Sequence, residues 1–434
     1  MTRAHDRILG LDLARFVAIA GMMATHTWLW IDSVEGVHVP MSEQFQGRAS
    51  ALFAVLAGVG AVLATRAPIR EGRPGAARLM LLGRGLALVA LALTLTLLDI
   101  PIFVILAYYG VLFWVLSLAI TWPRWVLVAV AAVVAVLAPL VTYLLGSAFE
   151  LSEREASNPN WLSLADPLPV LRGLLLTGTY PVFLWIAYGL VGMAIARSLL
   201  TTRTAPGPDG AGPGMGALRA LCVRLVGIGV AVWLGGIALA ALAQGPLGGV
   251  RGLASELGVS EEQALALLSE PGDGRPLPGS AWMLVTAAAH TGTTFDLLVT
   301  IGSSVTVIGL LVLVGTVLGP LARRILTPVL GAGSAPLTVY SAHVLLVGTV
   351  TLVMLGKPYG ELTWQEYVVL DTPWFLSSLG FWVANVLLAL LIGSFLAFLG
   401  RRGPLETFVT WVGRLFARPL RNKAQRPTVP SSGP

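Results

Sequence analysis

The chain has 434 residues, 56% of them hydrophobic and only 12% charged, with a mean hydropathy of +0.81. No soluble domain of this length can cover so much apolar surface, so composition predicts an all-α polytopic membrane protein. The net charge of +6 and pI near 9.8 reflect membrane topology rather than a nucleic-acid footprint, because the basic residues gather on one side of the predicted spans.

Apolar windows predict about ten transmembrane helices, at 10–31, 48–66, 79–98, 102–120, 125–146, 178–197, 218–243, 295–320, 334–355 and 374–399. Arg3 and Arg7 precede the first window, and no small-residue cleavage site closes it, so it reads as a span and not a signal peptide. With the N-terminus inside, the inner segments and span ends hold 21 of the 28 lysines and arginines. The outer side holds Arg48, Arg154, Arg172, Arg251, Arg275 and Lys357. That asymmetry predicts a multi-pass protein of the cell membrane with both termini cytoplasmic.

The chain divides into an N-terminal part of six spans (1–200), a Pro/Gly-rich cytoplasmic linker (201–216), and four further spans (217–400) with a large outer loop at 244–294. Ser260-Glu261-Glu262-Gln263 in that loop is a capping box and predicts a short helix. Residues 401–421 are amphipathic and Arg-rich, which fits a helix on the inner membrane surface, and 422–434 read as a disordered tail. Ala54, Gly58, Gly189 and Gly192 are small residues suited to helix packing. Cys222 is the sole cysteine, so neither an intrachain disulfide nor a Cys-based metal site is expected.

The first span carries charge in its interior: DLARFVAIAGMMATHTWLW holds Arg15 and His26, eleven residues apart. On a helix they lie within about 20° of one face and roughly 16 Å apart along the axis. Arg15 has Asp12 at i−3, and the pair has two readings. It is a snorkelling arginine with its own carboxylate, or an anion anchor suited to a phosphate arriving from the inner side, with Arg84 joining it. His26 is a hydrogen-bonder to a neighbouring helix, or a general base.

Further polar groups gather at the outer rim: Gln46-Gly47-Arg48, Tyr180-Pro181, and the run from His290 to Asp296. Asp296 is a candidate for orienting an imidazole, and His290 for binding substrate. His343 in the ninth span, with Tyr340 one turn away, is either structural or part of the same cavity, and Asn385 reads as interhelical glue. His26 and His290 make a weak zinc case with no third ligand at metal-like spacing, so no metal is expected.

The segments RILGLDLARFVAIAGMMATH, GRASALFAVLAGV, ILAYYGVLF, GTYPVFLWIAYGLVGMAIAR, HTGTTFDLL, PLTVYSAH and GPLE, in this order, resemble the transmembrane acyltransferases related to heparan-α-glucosaminide N-acetyltransferase. The resemblance is to the bacterial branch that joins that catalytic domain to a C-terminal membrane domain of unknown function. It implies transfer of an acetyl or short acyl group from cytosolic acyl-CoA to a hydroxyl or amino group of an extracytoplasmic glycan or glycolipid. His26, Arg48, His290 and Asp296 would then serve catalysis, and Asp12, Arg15, Arg84 and His343 the acyl-CoA. Lysosomal members carry Asn at the place matching His26 and their catalytic His in the following loop, where His38 is the residue here that answers to it. The expected partners are membrane lipids, acyl-CoA and the acceptor, without nucleic acid, and a homodimer is entertained as the assembly. A proton-coupled transporter of a lipid or small solute is the rival reading, since intramembrane Arg, His and Asp also build proton relays.

Overall fold

A computed structural model describes residues 7–28, 45–148, 157–204, 215–363, 366 and 374–423. His38 lies outside the described residues, as does most of the predicted tail. The secondary structure of the described residues is helical throughout. Among the described residues, eight helices are long and apolar enough to cross a bilayer, and they coincide with eight of the ten predicted spans. The other two are α1 (Leu9–Thr27), whose hydropathy Asp12, Arg15 and His26 dilute, and α4 (Leu106–Leu118), which is short.

The remaining spans of the N-terminal half are α2 (Arg48–Arg70), α3 (Pro74–Leu95), α5 (Arg124–Ala148) and α6 (Val182–Thr204). Next come α7 (Met215–Gln244) and the outer-loop helices α8 (Gly249–Leu257) and α9 (Glu261–Ser269). Then follow α10 (Thr294–Val317), the short α11 (Thr327–Ser334), α12 (Pro336–Leu355), α13 (Leu379–Phe398) and the terminal α14 (Pro404–Lys423). The predicted linker is shorter than expected, because α6 runs on to Thr204 and α7 begins at Met215. The capping box forms as read: Ser260 Oγ accepts the Gln263 N–H and the Gln263 side chain accepts the Ser260 N–H.

Small residues set the helix spacing, because lipid provides no hydrophobic drive for helices to associate. A Cβ on Gly58 would fall 2.0 Å from the Gly189 carbonyl oxygen, and one on Gly192 would fall 1.9 Å from that of Val55. The α2–α6 crossing therefore tolerates nothing larger than glycine at these points. On the other side, Gly229 and Gly302 bring α7 and α10 to backbone contact.

The amphipathic α14 lies against α3, with Phe416 over Gly83 and the Arg84 Nη1 donating to Thr410 Oγ1 at 3.0 Å. Glu406, the acid of the GPLE segment, caps α12 by accepting the Leu337 and Thr338 N–H groups at 2.6 and 3.1 Å. Two segments that carried the resemblance thus meet at one helix terminus, where a carboxylate also complements the helix dipole.

Candidate functional site

Polar groups collect at the two ends of α1. At its N-terminal end, Asp12 is buried and accepts from both Arg7 (2.7 Å) and Arg15 (2.9 Å). The carboxylate-paired reading of Arg15 is the one the structure shows. Arg84 hydrogen-bonds to α14 instead, and no contact among the described residues joins it to Arg15.

Beside this triad opens a cavity of about 1350 Å³. It is walled by Arg7, Arg66, Arg70, Arg124, Arg197, Arg203 and Arg323 from the ends of α1, α2, α5 and α6 and the short helix between α10 and α11, with Ile8, Val62, Thr65, Leu218 and Val312 among the residues between them. Among the described residues that line it there is no Asp or Glu. Arg197 is held in the wall by the Ile120 carbonyl oxygen at 2.5 Å. Asp12, Arg15, Arg84 and His343, the residues expected to hold the donor, do not line this cavity, although Arg7 does. Sequence reading counted these arginines only as topology. The signal that could have found them is that all seven close or flank the inner end of a predicted span. A space this large exceeds the usual range for small-molecule pockets and suits an elongated ligand bearing several negative charges.

At the other end of α1, His26 meets His343 of α12. The facing nitrogens, His26 Nδ1 and His343 Nε2, are 2.9 Å apart, with ring planes within 5° and centroids 5.2 Å apart, so the imidazoles join edge to edge. His343 Nδ1 in turn stands 2.7 Å from Asn385 Oδ1 on α13. The Asn385 amide is oriented by its own Nδ2, which donates to the Phe381 carbonyl oxygen at 2.8 Å.

Proton bookkeeping follows from that orientation. Asn385 Oδ1 can only accept, so His343 Nδ1 carries hydrogen. A neutral His343 then accepts at Nε2, and His26 must donate from Nδ1. The His26 Nε2 is left with its lone pair and has no partner among the described residues. That is the state a general base needs. The bond of Asn385 to His343 and the His26–His343 pairing across 317 residues of sequence are what the sequence did not disclose.

The other predicted residues sit nearby in different company. The Gly47 N–H donates to His290 Nε2 at 3.2 Å, which docks the outer loop on the start of α2. His290 itself adopts φ +58°, a left-handed turn, and the Tyr180 ring lies 6.0 Å away. Burial pushes the His290 imidazole down to about 4, so it is neutral at physiological pH.

Asp296 was expected to orient an imidazole; no bond to one is present among the described residues. Its Oδ2 accepts the Gly292 N–H at 2.9 Å and its own N–H is capped by Thr293 Oγ1 at 3.1 Å, so it organises the start of α10. Arg48 lies with its guanidinium 5.6 Å from the centre of the Trp233 ring and interacts electrostatically with Asp296. A void of about 20 Å³, room for one water, separates His290, Asp296, Tyr188 and Thr300.

Among the described residues, the two ends are not joined by an open passage along α1. Ala18, Ile19 and Met22 on the intervening face are 0%, 1% and 4% exposed, so packed hydrocarbon fills the interval. Among the described residues, no group of three or more His, Cys, Asp or Glu is arranged to hold a metal.

A family model described as heparan-alpha-glucosaminide N-acetyltransferase, catalytic, matches residues 7–223. The match covers α1 to α6 and the beginning of α7; α12 and α13, which supply His343 and Asn385, lie beyond it. No curated protein matches the chain.

Proposed function

The chain belongs to the heparan-alpha-glucosaminide N-acetyltransferase family, and on that footing we propose that it moves an acetyl or short acyl group from acyl-CoA to an acceptor on the opposite face of the membrane. The observation that carries this reading is the arginine-walled cavity, which has no lining carboxylate among the described residues. A coenzyme A molecule presents several phosphate charges at one end and a flexible thioester arm at the other. Guanidinium groups bind phosphate through paired, charge-assisted N–H donors, which is the chemistry this wall offers. The bias of Lys and Arg toward this end of the spans supports a cytosolic mouth and cytoplasmic termini.

The acyl group is then delivered toward His26. Its Nε2 lone pair accepts the proton of the acceptor hydroxyl or amine as that oxygen or nitrogen attacks the thioester carbonyl. The carbon–sulfur bond breaks, and the departing sulfur takes up a proton as CoA leaves. Arg48 and Tyr180, on the same rim, are the groups suited to steady the developing oxyanion. Because Ala18, Ile19 and Met22 close the interval, passage of the thioester arm requires the helices around α1 to part. The acceptor is an envelope glycan, glycolipid or a similar molecule carrying such a group.

The test compares acetyl-CoA, dephospho-CoA and pantetheine as ligands of the purified protein in nanodiscs. Affinity should fall stepwise as phosphates are removed and should weaken steeply with added salt. Equal binding of pantetheine and acetyl-CoA would sink the assignment of the cavity. Full release of CoA from radiolabelled acetyl-CoA by a His26→Ala variant would remove the proposed base.

A further inference from the structure

We propose that His343 and Asn385 are positioning residues of the acyl-transfer site, contributed by the half of the chain that the family match does not cover. Their task is to hold His26 in the tautomer whose Nε2 is free to accept a proton. The proposal rests on His26 being the base.

The geometry is directional. The Phe381 carbonyl oxygen fixes the Asn385 amide, which leaves only an acceptor facing His343. Each ring then has one nitrogen committed to the neighbour behind it, and the chain of bonds ends on the one nitrogen with no partner among the described residues. Both supporting groups are fully buried, so water does not compete for these bonds. A merely structural histidine pair would be satisfied by either direction of donation. The amide at the end of the chain selects one.

The relay is also neutral. An amide, unlike a carboxylate, sets the tautomer without supplying a counter-charge for an imidazolium. The base therefore returns its proton readily, which suits a step in which the departing sulfur must be protonated. The backbone of α1 is tied to α13 as well, since Trp382 of α13 donates to the Ala20 carbonyl oxygen of α1 at 3.0 Å. The same helix that carries Asn385 thus fixes the backbone bearing His26.

Histidine-selective 15N labelling gives only five residues to assign, His5, His26, His38, His290 and His343. In the intact protein His26 should show protonated Nδ1 and unprotonated Nε2. Asn385→Leu should convert it to a mixture of tautomers. In single-turnover assays the same variant should lose roughly tenfold to a hundredfold in rate, a fraction of a full general-base contribution. KM for acetyl-CoA should stay within about twofold, because the donor cavity is remote from this residue. Asn385→Asp, which keeps an oxygen facing His343, should retain the single tautomer, while its counter-charge holds the proton on the relay and keeps the rate below that of the intact protein.

A wild-type His26 protonated at Nε2 overturns the proposal, and so does a well-folded Asn385→Leu protein with the tautomer unchanged. If Asn385→Leu does not fold, the wild-type spectrum and the Asn385→Asp pair decide. A shifted tautomer without any change in rate leaves the positioning intact and instead removes His26 as the base.

Discussion

Asp12 serves two arginines, and the structure assigns them unequal energies. Arg7 has the better hydrogen-bond geometry: its Nε and Nη2 both reach Asp12 Oδ2, at 3.0 and 2.7 Å. Arg15 makes one bond, to Oδ1 at 2.9 Å. Exposure points the other way, with side-chain values of 50% for Arg7, 19% for Arg15 and 6% for Asp12. An exposed ion pair contributes about 0.2–1 kcal/mol, whereas stranding a buried charge costs about 3–5 kcal/mol. Discounted for partial access to water, Asp12→Asn should cost about 2 kcal/mol, nearly all of it through Arg15. In double-mutant cycles with Arg7→Ala and Arg15→Ala, the Asp12–Arg15 coupling should be near 2 kcal/mol and the Asp12–Arg7 coupling below about 1 kcal/mol. Denaturant titration of the protein in mixed micelles, followed by tryptophan fluorescence, measures both. Equal couplings, or a larger one for Arg7, would refute the ranking of burial above bond geometry.

Removing a cavity arginine that makes charge-assisted bonds to phosphate, as in Arg124→Ala or Arg70→Ala, should weaken acetyl-CoA binding by about tenfold, read by calorimetry in nanodiscs. Arg15→Ala, whose side chain is outside that wall, should leave the same affinity within about twofold. Gly192→Leu places atoms where the Val55 carbonyl stands, so α2 and α6 must separate; a loss of about 3 kcal/mol or more should appear as failure to recover monodisperse protein. His290 is held near 4 in the folded chain against an ordinary 6.5, so the unfolded chain binds the proton first. Stability should therefore fall as pH drops from 6.5 toward 4, by about 3 kcal/mol at most, and His290→Gln should flatten that slope in thermal unfolding scans.

Local features were legible in the sequence and long-range company was not. Span positions, the Ser260 cap and the small residues of the α2–α6 crossing all follow from local hydropathy or from single-residue chemistry, and all are present. The helix over 401–421 was expected on the membrane surface, and it lies against α3. Arg15 and His26 were singled out because charge inside a span is conspicuous. Their partners were not, since Arg7 sits just outside the first window and His343 comes from another helix altogether. The cavity arginines looked ordinary one at a time. Each satisfies the charge asymmetry of its own loop, and only convergence of the helix ends gathers them around one space. Asn385 is a lone amide in a lipid-spanning segment, which by itself says glue; the direction of its bonds makes it more.

The plug formed by Ala18, Ile19 and Met22 has an electrical consequence. A protein hydrated at both ends of one helix would short-circuit the bilayer if the wet regions met, and each elementary charge crossing 100 mV releases about 2.3 kcal/mol. Closed aliphatic packing keeps the resting molecule insulating, so any opening for a thioester arm must be brief or filled by the arm itself. Vesicles carrying the idle protein should hold a proton gradient as long as bare ones.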